Sequence, residues 1–245
     1  VIYHSPCPDG TAGAWCFKKL GYNNFYGATH GKKLDIDIKD KDIIFVDFVY
    51  PKDQLEDILK QTKTVTVLDH HKTALFVTEM ERENLKHVID MTRSGAQIAW
   101  DYCFPNEDRP WFIDDIADRD LWTWKRVDSK EATTGMFKLG YYENIDIFCN
   151  INSRTREYYI EIGKIFLYND EIRQKNICRN AIKCEAQSKI DPEKKWTVML
   201  VQCDHSDASD VGNKLVTENE CDFSVMYRHN FQRNEWNISA RANSN

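Results

Sequence analysis

Three short apolar runs in the first 71 residues each end in side chains that bind metal ions or move protons, and this pattern limits the possible fold more than any other feature. Val1-Ile2-Tyr3 leads into His4, Cys7 and Asp9; Ile43-Ile44-Phe45-Val46 ends at Asp47; Val65-Thr66-Val67-Leu68 ends at Asp69-His70-His71. Runs of this length, rich in β-branched residues, read as buried strands. The stretches between them carry helical spacing: residues 10–20 hold Ala12, Ala14, Trp15 and Phe17 ahead of a Gly21 stop, and residues 51–61 open on Pro51 and space Leu55, Ile58 and Leu59 along one face. Strand and helix in alternation predict parallel strands joined by crossover helices, hence an α/β fold. In such sheets ligands bind beyond the carboxyl ends of the strands, so the groups that end the three runs are expected to converge.

The rest of the chain extends this plan. Helical spacing continues over residues 94–104 and 110–117, and residues 154–186 predict a long amphipathic helix or helix pair. A charged stretch around Pro192 leads into a second, smaller unit with strands at 196–202, 223–227 and 236–240 and a helix at 209–217. The expected architecture is α/β throughout: a parallel-sheet domain over residues 1–125, a helical connector over 126–189, and a smaller mixed α/β domain over 190–245.

Of the 245 residues 42% are hydrophobic, enough for a sizeable core in one or two domains. A net charge of −6 argues against broad electrostatic attachment to long duplex nucleic acid or an anionic membrane. No stretch approaches the roughly 20 apolar residues of a membrane span, and the opening residues lack a cleavable signal pattern, so a cytoplasmic protein is expected. The eight cysteines are scattered, without a Cys-x-x-Cys pair, and read as free thiols in a reducing compartment.

His4, Asp9, Asp47, Asp69, His70 and His71, joined later by Asp118 and Asp120, form a set of imidazoles and carboxylates suited to divalent ions such as Mn²⁺ or Mg²⁺. A carboxylate bridging two such ions serves phosphoester or phosphoanhydride hydrolysis. Each residue alone has a plainer explanation: Asp47 and Asp69 could cap following helices, Cys7 could be a turn residue between Pro6 and Pro8, and Ser94 could be a helix N-cap. Trp122, Trp124 and Phe48 could stack on nucleobases or fill the core.

The segments His4-Ser5-Pro6-Cys7-Pro8-Asp9-Gly10, Val46-Asp47-Phe48, Asp69-His70-His71 and Asp118-Arg119-Asp120-Leu121-Trp122 occur in the order and at about the spacing of the DHH phosphoesterase superfamily. The chain resembles in particular its oligonucleotide, exopolyphosphatase-like and cyclic-dinucleotide-cleaving branches, closely over about the first 125 residues and loosely beyond. The resemblance implies one or two Mn²⁺ or Mg²⁺ ions held by His4, Asp9, Asp47, His70 and Asp118, with Asp120 the alternative to Asp118 and Asp47 shared between the ions. It implies that His71 contacts the scissile phosphate or protonates the leaving group while Asp69 orients the histidine pair. Cys7 stands where the family usually has an Asp, which leaves that metal position weakened, altered or empty.

The same resemblance makes Ser94 and Gly95 a phosphate-receiving turn and likens residues 190–245 to the family's DHHA1 substrate domain, with Arg241 gripping a phosphate. The later glycine-rich, His-containing loop of that domain is missing, which suggests truncation or a protein that manages without it. The expected substrate is a short oligonucleotide or a cyclic dinucleotide, with polyphosphate or pyrophosphate as the alternative and a non-catalytic nucleotide-binding protein as another; a homodimer is compatible with all three.

Overall fold

A computed structural model describes residues 1–242, which divide into two compact units, the first Val1–Phe166 and the second beginning at Leu167. In the first unit β1 (Ile2–His4), β2 (Tyr26–Ala28), β3 (Asp42–Val46), β4 (Thr64–Asp69) and β5 (Leu85–Ile89) form a five-stranded sheet of order β2-β1-β3-β4-β5. Every neighbouring pair is parallel. The helices α1 (Pro8–Lys19), α2 (Lys52–Leu59), α3 (Gly95–Cys103), α4 (Trp111–Asp120), α5 (Ser129–Lys138) and α6 (Ile145–Phe148) follow in turn, with a 3-10 segment over Lys72–Glu79.

Both faces of this sheet are covered, as the continuous apolar runs require. Successive strand residues point to opposite faces, and the two cores divide accordingly. Ile2, Phe45 and Val67 lie in one core with Leu55, Ile58 and Val77. Tyr3, Val46 and Leu68 lie in the other with Trp15, Ile98, Phe112 and Phe148. The second core is strongly aromatic: Trp15 stacks on Trp100 at 6.1 Å and meets the edge of Phe112 at 5.1 Å.

The expected boundary at residue 125 moves to Phe166 because Met136, Tyr142, Phe148, Ile151 and Tyr159 are buried in the same core as Trp15 and Phe112. Residues 126–166 therefore belong to the first unit and are not a separate connector. The long helix α7 (Arg156–Arg179) ends seven residues before the predicted limit. Beyond it Ile182–Gln187 forms strand β6, which pairs antiparallel with β7 (Lys195–Gln202) and alternates in exposure, a period-2 signal hidden behind a helix-like composition. The second unit continues with α8 (His205–Glu218), β8 (Phe223–Asn230) and β9 (Glu235–Ala242), in a mixed sheet of order β6-β7-β8-β9. β7 and β8 are parallel and β8 and β9 antiparallel. Val211, Leu215, Met199 and Met226 make its core.

Among the described residues no helix is long and apolar enough to cross a membrane.

Candidate metal centre

β1 and β3 are adjacent in the sheet although β2 lies between them in the chain, so the crossover direction reverses at this pair. The crevice beyond the carboxyl ends at such a reversal is where open α/β sheets bind ligands. β1 ends at His4, β3 at Val46 just before Asp47, and β4 at Asp69 just before His70 and His71. Asp47 adopts φ 54°, a left-handed conformation uncommon for a side chain with a Cβ. Its N–H donates to the Leu68 carbonyl at 2.9 Å, which holds the strained turn against β4.

Around Asp47 the donor atoms gather. Its Oδ1 lies 3.2 Å from His70 Nε2 and 3.6 Å from His71 Nδ1, and its Oδ2 lies 3.4 Å from His4 Nδ1 and 3.4 Å from Cys7 Sγ. His70 Nε2 is also 3.3 Å from Asp120 Oδ2 and 3.7 Å from Asp9 Oδ2. Three overlapping groups, His4–Cys7–Asp47, Asp47–His70–His71 and Asp9–His70–Asp120, have the composition and closeness to hold a metal ion. Donors that share one ion at about 2.0–2.3 Å sit roughly 3.0–3.5 Å from each other, close to these separations.

Unpaired atoms supply an independent test. Buried polar groups normally find hydrogen-bond partners, yet among the described residues His4 Nδ1, Asp47 Oδ1 and His70 Nε2 are buried without one, as is Thr11 Oγ1. Three of these four atoms belong to the Asp47 cluster: His4 Nδ1 lies 3.4 Å from Asp47 Oδ2, and His70 Nε2 lies 3.2 Å from Asp47 Oδ1, with neither pair forming a hydrogen bond. The donor set therefore fits a divalent cation.

The electrostatics agree. Burial, then the charges of Asp47 and Asp120, pushes the Asp9 carboxyl well above the usual range. Burial and the Asp47 charge raise Asp120 as well. Burial would lift Asp47 too, but the His4 and His70 rings beside it hold it at about 2. Burial works against the His70 cation, yet the Asp47, Asp9 and Asp120 carboxylates raise that ring to about 9. Burial and the Asp47 and Asp9 charges also raise the Cys7 thiol. Three carboxylates are thus crowded together with only imidazole protons to balance them, a state that a bound cation relieves.

Asp69 lies against the His-His pair. Its Oδ1 accepts from the His70 N–H at 2.7 Å, the His71 N–H at 3.0 Å and His71 Nδ1 at 2.8 Å. One buried carboxylate thereby fixes the backbone of the His-His pair and the ring of His71. That hydrogen bond, against the opposing effect of burial, raises the proton affinity of His71.

Two expectations are corrected. Asp118, the preferred fourth-motif ligand, faces away from the cluster: it accepts from Thr123 Oγ1 at 2.5 Å, Ser129 Oγ at 2.5 Å, Lys125 N at 2.8 Å and Arg126 N at 2.9 Å. Burial would raise its carboxyl, but these bonds hold it down at about 2. Asp120, two residues on, reaches His70 instead. The second correction concerns Ser94 and Gly95. Ser94 caps α3 through a reciprocal bond pair with Gln97, and the N–H groups of Gly95 and Ala96 donate to Asp9 at 2.5 and 3.0 Å. The donors expected to receive a phosphate are occupied in positioning Asp9. A Cβ on Gly95 would stand 2.7 Å from Asp47 Cβ and 2.9 Å from Asp9 Oδ2, so only glycine fits there. Gly10 is similarly constrained, since its Cβ would meet the His4 carbonyl.

Arg241 lies on edge strand β9 of the second unit, exposed, donating to Ser209 Oγ at 2.7 Å and to the Ala240 carbonyl at 2.8 Å. Phe48 is core, 1% exposed, whereas Trp122 is 67% exposed and meets Trp124 edge-on at 5.1 Å.

The sequence offered little sign of a cavity of about 590 Å³ beside His71, walled by His30, Tyr50, Pro51, Lys52, Asp69 and Phe76, among others. His30 packs on Phe48 at 4.7 Å and on His4 at 5.2 Å.

Fold and site together define a doubly wound α/β protein with an acid–histidine cluster that could hold a metal ion at the point where the strand order reverses. No family model matches the chain. It is similar to uncharacterized protein R106 of Acanthamoeba polyphaga mimivirus, 28% identical over 261 aligned positions that take in 99% of this chain and 60% of that protein. The chain thus spans about 60% of the length of the relative it matches. The crystal structure of an uncharacterized protein from Helicobacter pylori G27 aligns at 14% identity with a TM-score of 0.45, over 99% of this chain and 84% of that one.

Proposed function

We propose that this chain is a metal-dependent phosphoesterase on the plan of the DHH superfamily, hydrolysing phosphodiester bonds of short oligonucleotides or cyclic dinucleotides with Mn²⁺ or Mg²⁺. The observation that carries the reading is the set of buried, unpaired donor atoms on His4, Asp47 and His70 at the carboxyl ends of three parallel strands. His4, Asp9, Asp47, His70 and Asp120 would hold the ions. When bound, such ions supply a hydroxide nucleophile at neutral pH and neutralise charge on the phosphoryl group.

The protein's own residues divide the remaining work. Asp69 keeps a proton on Nδ1 of His71, which leaves Nε2 as the ring atom that exchanges a proton with a substrate oxygen. Gly95 and Ala96 hold Asp9 in register with His70 through their N–H groups. The cavity beside His71 favours an organic ester over inorganic polyphosphate. Its walls are largely aromatic and aliphatic, with one lysine, Lys52, among the lining residues, whereas a polyphosphate chain calls for several cations.

The test is turnover of short oligonucleotides, cyclic dinucleotides and polyphosphate, offered in parallel with added Mn²⁺, using His70→Ala as the control. Cleavage of a nucleotide substrate that vanishes in His70→Ala supports the proposal. Preference for polyphosphate overturns the substrate class. Tight metal binding with no turnover of any substrate overturns the enzymatic reading.

A further inference from the structure

The donor atoms around Asp47 differ in chemistry as well as in position. On the Oδ2 side stand an imidazole nitrogen, His4 Nδ1, and a sulfur, Cys7 Sγ, both at 3.4 Å. On the Oδ1 side stands His70 Nε2, at 3.2 Å, itself within 3.3 Å of Asp120 and 3.7 Å of Asp9. Each carboxylate oxygen of Asp47 therefore addresses a different set of donors. One set is nitrogen and sulfur; the other is nitrogen and carboxylate oxygen.

Cys7 has a simpler role open to it, and the geometry argues against that role. It is the N-cap residue of α1, where a side chain ordinarily accepts a hydrogen bond from the first turn. Its side chain makes no cap bond and turns toward Asp47. Beside it His4 Nδ1 is buried with no hydrogen-bond partner. A thiol hydrogen bond to Asp47 would account for the sulfur alone and would leave that nitrogen unexplained. A cation shared by the three groups accounts for both. The separations agree as well, since sulfur at about 2.3 Å and nitrogen or oxygen at about 2.0–2.1 Å from a tetrahedral ion lie roughly 3.5–3.6 Å apart, close to the 3.4 Å between Cys7 Sγ and Asp47 Oδ2.

We propose that Cys7 is a metal ligand and that the two positions joined by Asp47 are chemically unequal. The His4–Cys7–Asp47 position takes a thiolate-seeking divalent ion such as Zn²⁺ or Fe²⁺, and the Asp9–His70–Asp120 position takes a hard ion such as Mn²⁺ or Mg²⁺. As the metal–sulfur bond forms, the thiol proton passes to solvent, with no change in oxidation state. The inference rests on reading this cluster as a metal centre; it does not depend on which substrate is cleaved, or on cleavage at all.

The test uses the full chain, stripped of metal with a chelator and titrated with Co²⁺, Zn²⁺ and Mn²⁺ separately. Co²⁺ should develop a sulfur-to-metal charge-transfer band that saturates at one ion per chain and is missing in Cys7→Ser. In that variant Zn²⁺ affinity should fall about tenfold or more while Mn²⁺ affinity changes much less. Cys7→Asp, which restores an oxygen donor, should move the Zn²⁺-to-Mn²⁺ preference toward Mn²⁺ by about tenfold or more. Circular dichroism checks that both variants fold, and either one suffices for the test.

A band that persists in Cys7→Ser, or ions bound to the wild type without any band, overturns the proposal. Mn²⁺-driven hydrolysis without thiolate ligation would leave the phosphoesterase reading standing and remove this one. Failure of the wild type to bind any divalent ion would remove both.

Discussion

Asp118→Ala should cost the protein stability while leaving the metal affinity of the folded molecule nearly intact, and Asp120→Asn should do the opposite. Two backbone N–H groups and two hydroxyls converge on Asp118, which is 5% exposed. After its removal the hydroxyls of Thr123 and Ser129 can rotate to other acceptors, but the N–H groups of Lys125 and Arg126 cannot. Both donors are part-buried, so losing each of these bonds to a carboxylate costs about 1–2 kcal/mol and the substitution should cost about 2–4 kcal/mol. The turn it anchors has little reserve, since Trp122, Trp124 and Asp128 stand at φ 55°, 49° and 58°, each a strained conformation worth about 1 kcal/mol or more. Asp120→Asn removes one of the crowded carboxylates. The metal-free variant should therefore unfold no more easily than wild type, while Mn²⁺ affinity falls about tenfold or more. Urea unfolding in chelator, followed by tryptophan fluorescence, reads the first effect; titration of Mn²⁺ with electron paramagnetic detection of the free ion reads the second. Loss of Mn²⁺ binding in Asp118→Ala with an unchanged unfolding midpoint would refute the assignment and return Asp118 to the centre.

Gly95→Ala should lower stability by about 1–3 kcal/mol and weaken Mn²⁺ binding, because its Cβ would press on both Asp47 and Asp9. Calorimetric Mn²⁺ affinity equal to wild type would show that the contact relaxes without moving the ligands. Acid should expose the Asp118 anchor separately. Its folded carboxyl sits at about 2 against an ordinary 3.8, so its contribution is complete above about pH 4 and is lost as pH falls toward 2, amounting to about 1–2 kcal/mol after solvent screening. The urea midpoint of wild type should therefore fall more steeply than that of Asp118→Asn over this range, and parallel curves would contradict the assignment.

Much of the site was legible because it is local. His4, Asp47 and the Asp69-His70-His71 triplet directly end apolar strands, and the end of a buried strand in a parallel sheet is a defined place in space. The edge strands were less visible. β2 is three residues long, and β5 carries Lys86 and His87 between its apolar ends, so neither has a run long enough to stand out from loop. β6 lay within a mixed-charge stretch that continues the composition of α7, and only its pairing with β7 separates strand from helix.

The choice between Asp118 and Asp120 marks where local reading stops. Both lie in the last turn of α4, and two residues on a helix point roughly 200° apart. Which one faces His70 depends on how α4 is rotated, and that is set by the burial of Phe112, Ile113 and Ile116 in the aromatic core. The same holds for Gly95 and Ala96, whose N–H groups look available in sequence but are taken by Asp9, 86 and 87 residues away. From the sequence alone came the strand ends, the residue types and hence the chemistry, because strand periodicity and side-chain identity are properties of adjacent residues. Tertiary structure decided which carboxylate reaches the centre, which backbone donors remain free and how Asp47 is shared between two donor sets, because these depend on contacts between segments far apart in the chain.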